Sequence, residues 1–156
     1  MIVVSDASPI LNLAIVERLG LLRDLFHDVV VPVTVSEELA RYGVPLQEEW
    51  MRVVVAVGVT ELSRLRESLD PGEAEAILVA QEISADLILL DERRGRREAQ
   101  SRGLTVTGVL GVLAAAKAAG LLSACRPVLD AMVDHAGFWV GEELRARFLA
   151  GVGEDT

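Results

Sequence analysis

The chain has 156 residues, a formal net charge of −9 and a pI of about 4.7, which argues against a passive, nonspecific nucleic-acid binder of the usual basic kind. A single cysteine, Cys125, excludes an internal disulfide and suits a reducing cytoplasm. The apolar runs are too short to cross a bilayer, and no basic stretch precedes an apolar one at the start, so neither a membrane span nor a signal peptide is expected.

Residues 2–4 read as a buried strand that delivers Asp6 at its carboxyl end. Ser8-Pro9 reads as a helix start, with Ser8 capping and Gly20 as the stop. Residues 28–31 form the next strand, ended by Pro32. Thr34-Val35-Ser36-Glu37 matches a capping box and opens a helix that stops near Gly43. Residues 45–52 read as a helical turn or two, 53–59 as a β-branched strand and 60–69 as a helix. Asp70-Pro71-Gly72-Glu73 is a strong start for a helix reaching Ser84. Residues 87–90 are a buried strand followed directly by Asp91. An arginine-rich helix covers 93–102, and 104–106 is the last strand. Helices follow at 109–119, 127–136 and 141–149. Strands separated by helices imply a parallel sheet with right-handed crossovers. Hydrophobic residues at 51% with aromatics at only 4% supply the aliphatic core such a sheet needs. The length implies one domain, placed at 1–152, with a short flexible tail at 153–156.

Open α/β sheets form sites outside the carboxyl ends of their strands, where Asp6 and Asp91 fall. Glu38 and Glu73 sit at or near helix first turns. Converging acids suit a hard divalent cation, since Mg²⁺ takes oxygen ligands and keeps several waters. Two such ions about 4 Å apart can stabilise the attacking and leaving oxygens of phosphodiester cleavage. Each acid also has a structural alternative. Asp6 or Ser8 can cap the first helix. Glu37 fits the third position of the Thr34 box, which leaves Glu38, about 100° further round, free to face a site. Glu73 can bond back to the Asp70 amide, and Asp91 can cap the arginine-rich helix. Glu75, about 200° from Glu73, cannot share its pocket.

The order of these motifs resembles the PIN-domain family through nearly the whole chain. Ile-Val-Val-Ser-Asp6-Ala-Ser8-Pro9 is similar to its opening strand, catalytic Asp and following Ser. Val35-Ser36-Glu37-Glu38-Leu39 is similar to its second motif, with Glu38 as the acid. Gly72-Glu73-Ala74-Glu75-Ala76-Ile77 resembles a largely uncharacterised branch in which Glu replaces the usual Asp, and Leu89-Leu90-Asp91-Glu92-Arg93 resembles that branch's fourth motif. The commoner fourth motif is Thr-x-Asp, so Asp91 stands near the Thr position and Glu92 is its alternate. The likeness continues through Gly103–Gly108, Lys117 and 120–138. The resemblance implies a PIN-like, Rossmann-like three-layer α/β/α domain with a central, mainly parallel sheet. It implies an Mg²⁺- or Mn²⁺-dependent ribonuclease with Asp6, Glu38, Glu73 and Asp91 holding metal and Ser8 hydrogen-bonding a ligand. The better-known relatives are VapC-like toxins of type II toxin–antitoxin pairs. They imply an RNA substrate, an antitoxin partner, a homodimer and a cytoplasmic location.

Arg93 and Arg94 open the densest positive patch and are the expected contacts for RNA phosphates, against the alternative of a solvated helix face paired with Glu92 and Glu98. His27 and His135 have no partner motif, Cys125 reads as buried and inert, and Trp50 and Trp139 read as packing anchors. No Gly-x-Gly-x-x-Gly follows the first strand, which argues against a dinucleotide site. The competing expectation is a PIN fold kept as a catalytically weak or inactive binding or regulatory module. It is motivated by Glu at position 73 and by the shifted fourth motif.

Overall fold

The structure is a computed structural model and describes residues 1–154. Its strands are short and β-branched: β1 (Val3–Ser5), β2 (Val29–Pro32), β3 (Met51–Val54), β4 (Leu87–Leu89) and β5 (Val106–Thr107). They form one sheet in the order β3-β2-β1-β4-β5, and every pairing is parallel. β1 lies at its centre, with Val4 opposite Val30 on one side and opposite Ile88 on the other.

Successive strand residues point to opposite faces, and the sheet distributes its apolar side chains accordingly. Val3, Val29, Val31, Met51 and Leu89 enter one core. There they meet helices α1 (Ala7–Ile15), α2 (Gly20–Phe26), α3 (Val33–Arg41), α7 (Val109–Ala118) and α8 (Arg126–His135), and Leu149 of α9 (Glu142–Gly151). Val4, Ile88 and Leu90 enter the other, against α4 (Val59–Leu65), α5 (Pro71–Glu82) and α6 (Arg93–Ser101). This is the three-layer α/β/α domain anticipated above. Among the described residues, no helix is long and apolar enough to cross a membrane.

Several elements depart from the sequence reading. The first helix stops before Gly20, because the chain turns at Glu17, which takes a φ of 59°. Gly20 instead opens α2, which buries Leu21 and Leu22. β3 starts two residues earlier than expected, with Met51 opposite Val29, and ends at Val54. Past it the amides of Ala56, Val57 and Gly58 are taken by the Glu75 and Glu82 carboxylates rather than by a strand. Trp50 is buried as expected, but Trp139 is exposed. Cys125 is buried, and desolvation pushes its thiol up. Gly153 and Glu154, read as part of a tail, are held in place. Glu154 accepts from the Cys125 and Arg126 amides at 2.8 and 2.9 Å and from Lys117 Nζ at 2.9 Å. Residues 155 and 156 lie outside the described ones.

The order of the strands places the site. The chain runs outward from β1 to β2 and β3, then crosses back to β4 and β5 on the other side of β1. The carboxyl ends of β1 and β4 therefore flank a topological switch point, the place where such sheets bind ligands. The Asp6 amide donates to Leu89 O across it at 3.0 Å.

Candidate active site

Asp6 follows β1 as the N-cap of α1, in extended conformation (φ −74°, ψ 172°), and its side chain is 4% exposed. The helix thus begins at Ala7, and Ser8 lies inside its first turn instead of capping it. Asn12, one turn on, donates from Nδ2 to Ser8 O at 3.0 Å and reaches Ser8 Oγ at 3.4 Å. Burial pushes the Asp6 carboxyl up to about 7; the Ala7 amide pulls it down, and the charges of Asp70, Glu38 and Asp91 push it further up.

α3 carries Glu38. Its start is not the predicted capping box: Pro32 is the N-cap, and no side chain of the helix caps it. The Thr34 amide donates to Glu75 Oε1 at 2.8 Å, so the orphan N–H is satisfied from α5 and Glu37 is left exposed. Glu38 is half-buried, and desolvation followed by the charge of Asp70 raises its carboxyl while Arg41 lowers it.

Gly72 lets these two acids meet beneath α5. A Cβ at Gly72 would stand 3.2 Å from Asp6 Oδ1 and 3.5 Å from Glu38 Oε2. The Asp70 side chain caps the same turn, accepting from the Glu73 amide at 2.8 Å. Glu73 is itself buried. Desolvation, a hydrogen bond with the Asp70 carboxyl and the charges of Asp70, Asp6 and Glu92 raise it to about 9. Gly95, in the first turn of α6, makes room for it: a Cβ there would lie 2.8 Å from Glu73 Oε2.

Asp91 does not take the capping alternative read from the sequence. Its Oδ1 accepts from the Val109 amide at 2.9 Å, so it caps α7 and not the arginine-rich helix, whose N-cap is Glu92. Burial raises the Asp91 carboxyl, while the Val109 amide and the Arg96 guanidinium lower it. Its buried Oδ2 has no hydrogen-bond partner among the described residues. Gly108 permits this approach, since a Cβ there would overlap Asp91 Oδ1.

Two clefts open at this end of the sheet and share Asp70 and Glu92. One, of about 350 Å³, is lined by Glu73, Arg93 and Arg94 among others. The other, of about 310 Å³, is lined by Asp6, Ser8, Asn12 and Glu38. Asp91 lines neither. Arg94 donates to Ser68 O at 3.0 Å. Arg96 and Arg102 of the same patch are spent inside the fold, Arg96 on Leu90 O and Arg102 on Glu61, Glu98 and Gln81.

Sequence reasoning gave Asp70 only a capping role. It is nonetheless the charge that recurs in the shifts of Asp6, Glu38 and Glu73. The available signal was its position: a helix N-cap three residues before a site acid must lie beside that acid. Among the described residues, no three His, Cys, Asp or Glu side chains form a ready-made cation cage. The donor set still suits Mg²⁺ or Mn²⁺. It is all oxygen, its members raise one another's proton affinity, and one buried carboxylate oxygen, Asp91 Oδ2, has no hydrogen-bond partner among the described residues. Mg²⁺ is commonly held by one or two carboxylates with substrate phosphates and water completing its shell.

An acid-lined cleft at the switch point of a parallel α/β sheet is a ligand site by its place in the fold, and comparison with known proteins gives the family. The chain belongs to the PIN-domain family: the family model DUF3368, described as a PIN domain, matches residues 2–154. Among solved structures, it is similar to a PilT N-terminus domain protein from the hyperthermophilic archaeon Sulfolobus solfataricus P2. The TM-score is 0.54 and the identity 19%, over 73% of this chain and 92% of that one, a likeness of fold. No curated protein matches the chain. PIN domains are generally nucleases and typically use divalent metals.

Proposed function

We propose that the protein is an Mg²⁺- or Mn²⁺-dependent endoribonuclease that hydrolyses RNA phosphodiester bonds. The observation that supports this most is the convergence of Asp6 and Glu38 beneath Gly72, at the switch point, with Asp70 raising the proton affinity of both. Carboxylates crowded this way are costly unless protonated or matched by a cation.

Asp6 and Glu38 would hold the metal, with Glu73 and Asp91 completing the set and Asp70 and Glu92 adding negative charge at the cleft floor. When bound, the cation would neutralise this charge and activate water for attack on phosphorus. The protein's own groups do the rest. Asp6 is fixed by β1 and α1, and Glu38 by α3. Ser8, tied to Asn12, stands beside Asp6 to hydrogen-bond a ligand. Arg93 and Arg94 flank Glu73, where a strand's phosphates would pass, and their guanidinium groups suit phosphate oxygens. The finer role, toxin of a type II toxin–antitoxin pair acting as a cytoplasmic homodimer bound by an antitoxin, rests on the VapC-like resemblance.

One observation favours the second reading, a weak or inactive binding module. Asp91 spends one oxygen on α7 and lines neither cleft. The deciding experiment is cleavage of labelled single-stranded RNA with Mg²⁺, Mn²⁺ or EDTA, beside the Asp6→Asn variant. The nuclease reading expects cleavage that needs both metal and Asp6. No cleavage by folded protein, or full cleavage by the variant, refutes the mechanism.

A further inference from the structure

The sheet has two edges, and the fold treats them differently. β5 forms one of them with only two residues, and its shortness protects it. β3 forms the other. Its bonds to β2 follow from the register: the Val29 amide donates to Trp50 O at 2.9 Å, and Val29 lies opposite Met51. In a parallel ladder alternate residues serve the neighbouring strand. Arg52 and Val54 therefore face β2, and the N–H and C=O of Val53 and Val55 point the other way. Among the described residues, nothing hydrogen-bonds these groups on that side.

The side chains keep the same alternation. Val54 and Ala56 pack against the second core, while Val53 is 44% and Val55 63% exposed. Val57 and Val59 extend the patch and are more exposed still. Proteins blunt a free edge with charge, proline or a bulge, but residues 53–59 hold neither a charge nor a proline. Nor is this segment slack. The Glu75 and Glu82 carboxylates of α5 accept from the amides of Ala56, Val57 and Gly58 at 3.3, 2.8 and 2.8 Å. The chain is thus pinned from inside with its valines turned outward.

The groups on offer select the occupant. Free backbone donors and acceptors call for an extended chain, and a second copy brings the same edge. That edge is self-complementary about Val54. In an antiparallel pair centred there, Val53 of one copy lies opposite Val55 of the other, and such a pair exchanges both of its N–H···O bonds. The valines of both copies then meet on one face, where directly opposed side chains pack. Charge points the same way. Each copy carries −9, so two copies repel over most of their surfaces. Within residues 50–60 the only charged side chain is Arg52, which already pairs with Asp28 at 3.6 Å and would lie opposite Ala56 of the second copy. We propose that two copies of this chain dimerise through β3, joined antiparallel about Val54 into one continuous sheet across a twofold axis. The inference rests on this edge and is independent of the nuclease reading.

The test uses the full chain. Sedimentation equilibrium at micromolar concentration should give twice the chain mass of 16.8 kDa. Val55→Lys sets lysines beside the axis and should return the monomer mass, while Val55→Thr keeps the branched shape and should remain dimeric. Val55 is exposed, so each variant should fold, and circular dichroism checks it. Register is read by oxidising Val53→Cys and Val55→Cys chains, separately and mixed. Opposed residues of a hydrogen-bonded pair are about 5.5 Å apart at Cα, within reach of a disulfide, and diagonal ones about 7–8 Å, beyond it. A cross-linked dimer should form in the mixture and in neither variant alone; the native Cys125 is buried. A wild-type chain that stays monomeric overturns the proposal and leaves the edge to a strand of a partner protein. A dimer that survives Val55→Lys overturns it too, by placing the contact elsewhere. Cross-linking in one variant alone refutes the pairing about Val54.

Discussion

Replacing Gly72 by alanine separates the two things this residue does. As a helix residue it costs stability: glycine in a helix is about 0.5–1 kcal/mol less favourable than alanine. Its φ is not in the left-handed region, so alanine fits the backbone. As a spacer, it leaves the gap in which Asp6 Oδ1 and Glu38 Oε2 sit 3.2 and 3.5 Å from where a Cβ would stand. The closer contact is tighter than ordinary carbon–oxygen packing, so one carboxylate must move by a few tenths of an ångström. A displacement of about 1 Å in a catalytic group can cost about a hundredfold, so a fraction of it should cost about tenfold in cleavage rate. Stability should meanwhile stay level or rise by up to about 1 kcal/mol, about 2–4 °C in Tm for a chain of this size. The assays are RNA cleavage in Mn²⁺, Mn²⁺ titration calorimetry and thermal unfolding in EDTA. A Gly72→Ala protein that cleaves at the wild-type rate would refute the claim that these two carboxylates form the working centre. One that loses activity only in step with lost stability would refute the spacer argument.

Two further outcomes test the scaffold around the site. Glu75 accepts from the Thr34 amide of α3 and, at 3.3 Å, from the Ala56 amide, so one buried carboxylate ties α5 to the helix that carries Glu38. Glu75→Gln puts an amide donor against one of these N–H groups and should lower stability by about 1–3 kcal/mol in urea unfolding; an unchanged midpoint would contradict the clamp. The pH profile in EDTA has two opposing limbs. Asp6 at about 7 and Glu73 at about 9 bind protons more tightly folded than unfolded, so stability should fall as pH rises from about 4 to 9. Glu154, lowered to about 2 by the Cys125 and Arg126 amides, stabilises the fold above its unfolded value of 4.5, and this is lost as pH falls through 4.5 toward 2. Maximal stability near pH 4 is expected from unfolding midpoints across pH. Divalent cation should restore stability on the alkaline limb, and a profile flat from 5 to 9 would contradict the buried-acid account.

The alternation of short aliphatic strands with helices was enough to imply a parallel sheet, because burial on both faces demands such runs, while its strand order and the start of β3 at Met51 came only with the structure. Asp6 was legible for the same reason, as an acid just past a buried strand, and Glu73 as an acid in a well-signalled first turn. The family likeness, too, lies in this order of motifs. Only the tertiary structure showed that Glu92 lines both clefts and Asp91 neither. In extended chain, consecutive side chains point to opposite sides, and β4 ends at Leu89, so a shift of one residue in the strand end exchanges the residue that lines the cleft. The same holds for Glu75 and Asp70. Their partners, Thr34 and Ala56 for one and the acids of α1 and α3 for the other, lie 19 or more positions away along the chain, beyond the reach of any local pattern. Tyr42 and Trp139 make the point for the surface. Nothing local distinguishes an aromatic that packs from one left in solvent; that depends on where the other layer runs out, and the Trp139 expectation failed on it. Local sequence determined which groups the protein has at the ends of its elements, because propensity and capping act over a few residues. Their direction was decided by helices and strands distant in the chain, because packing acts through space.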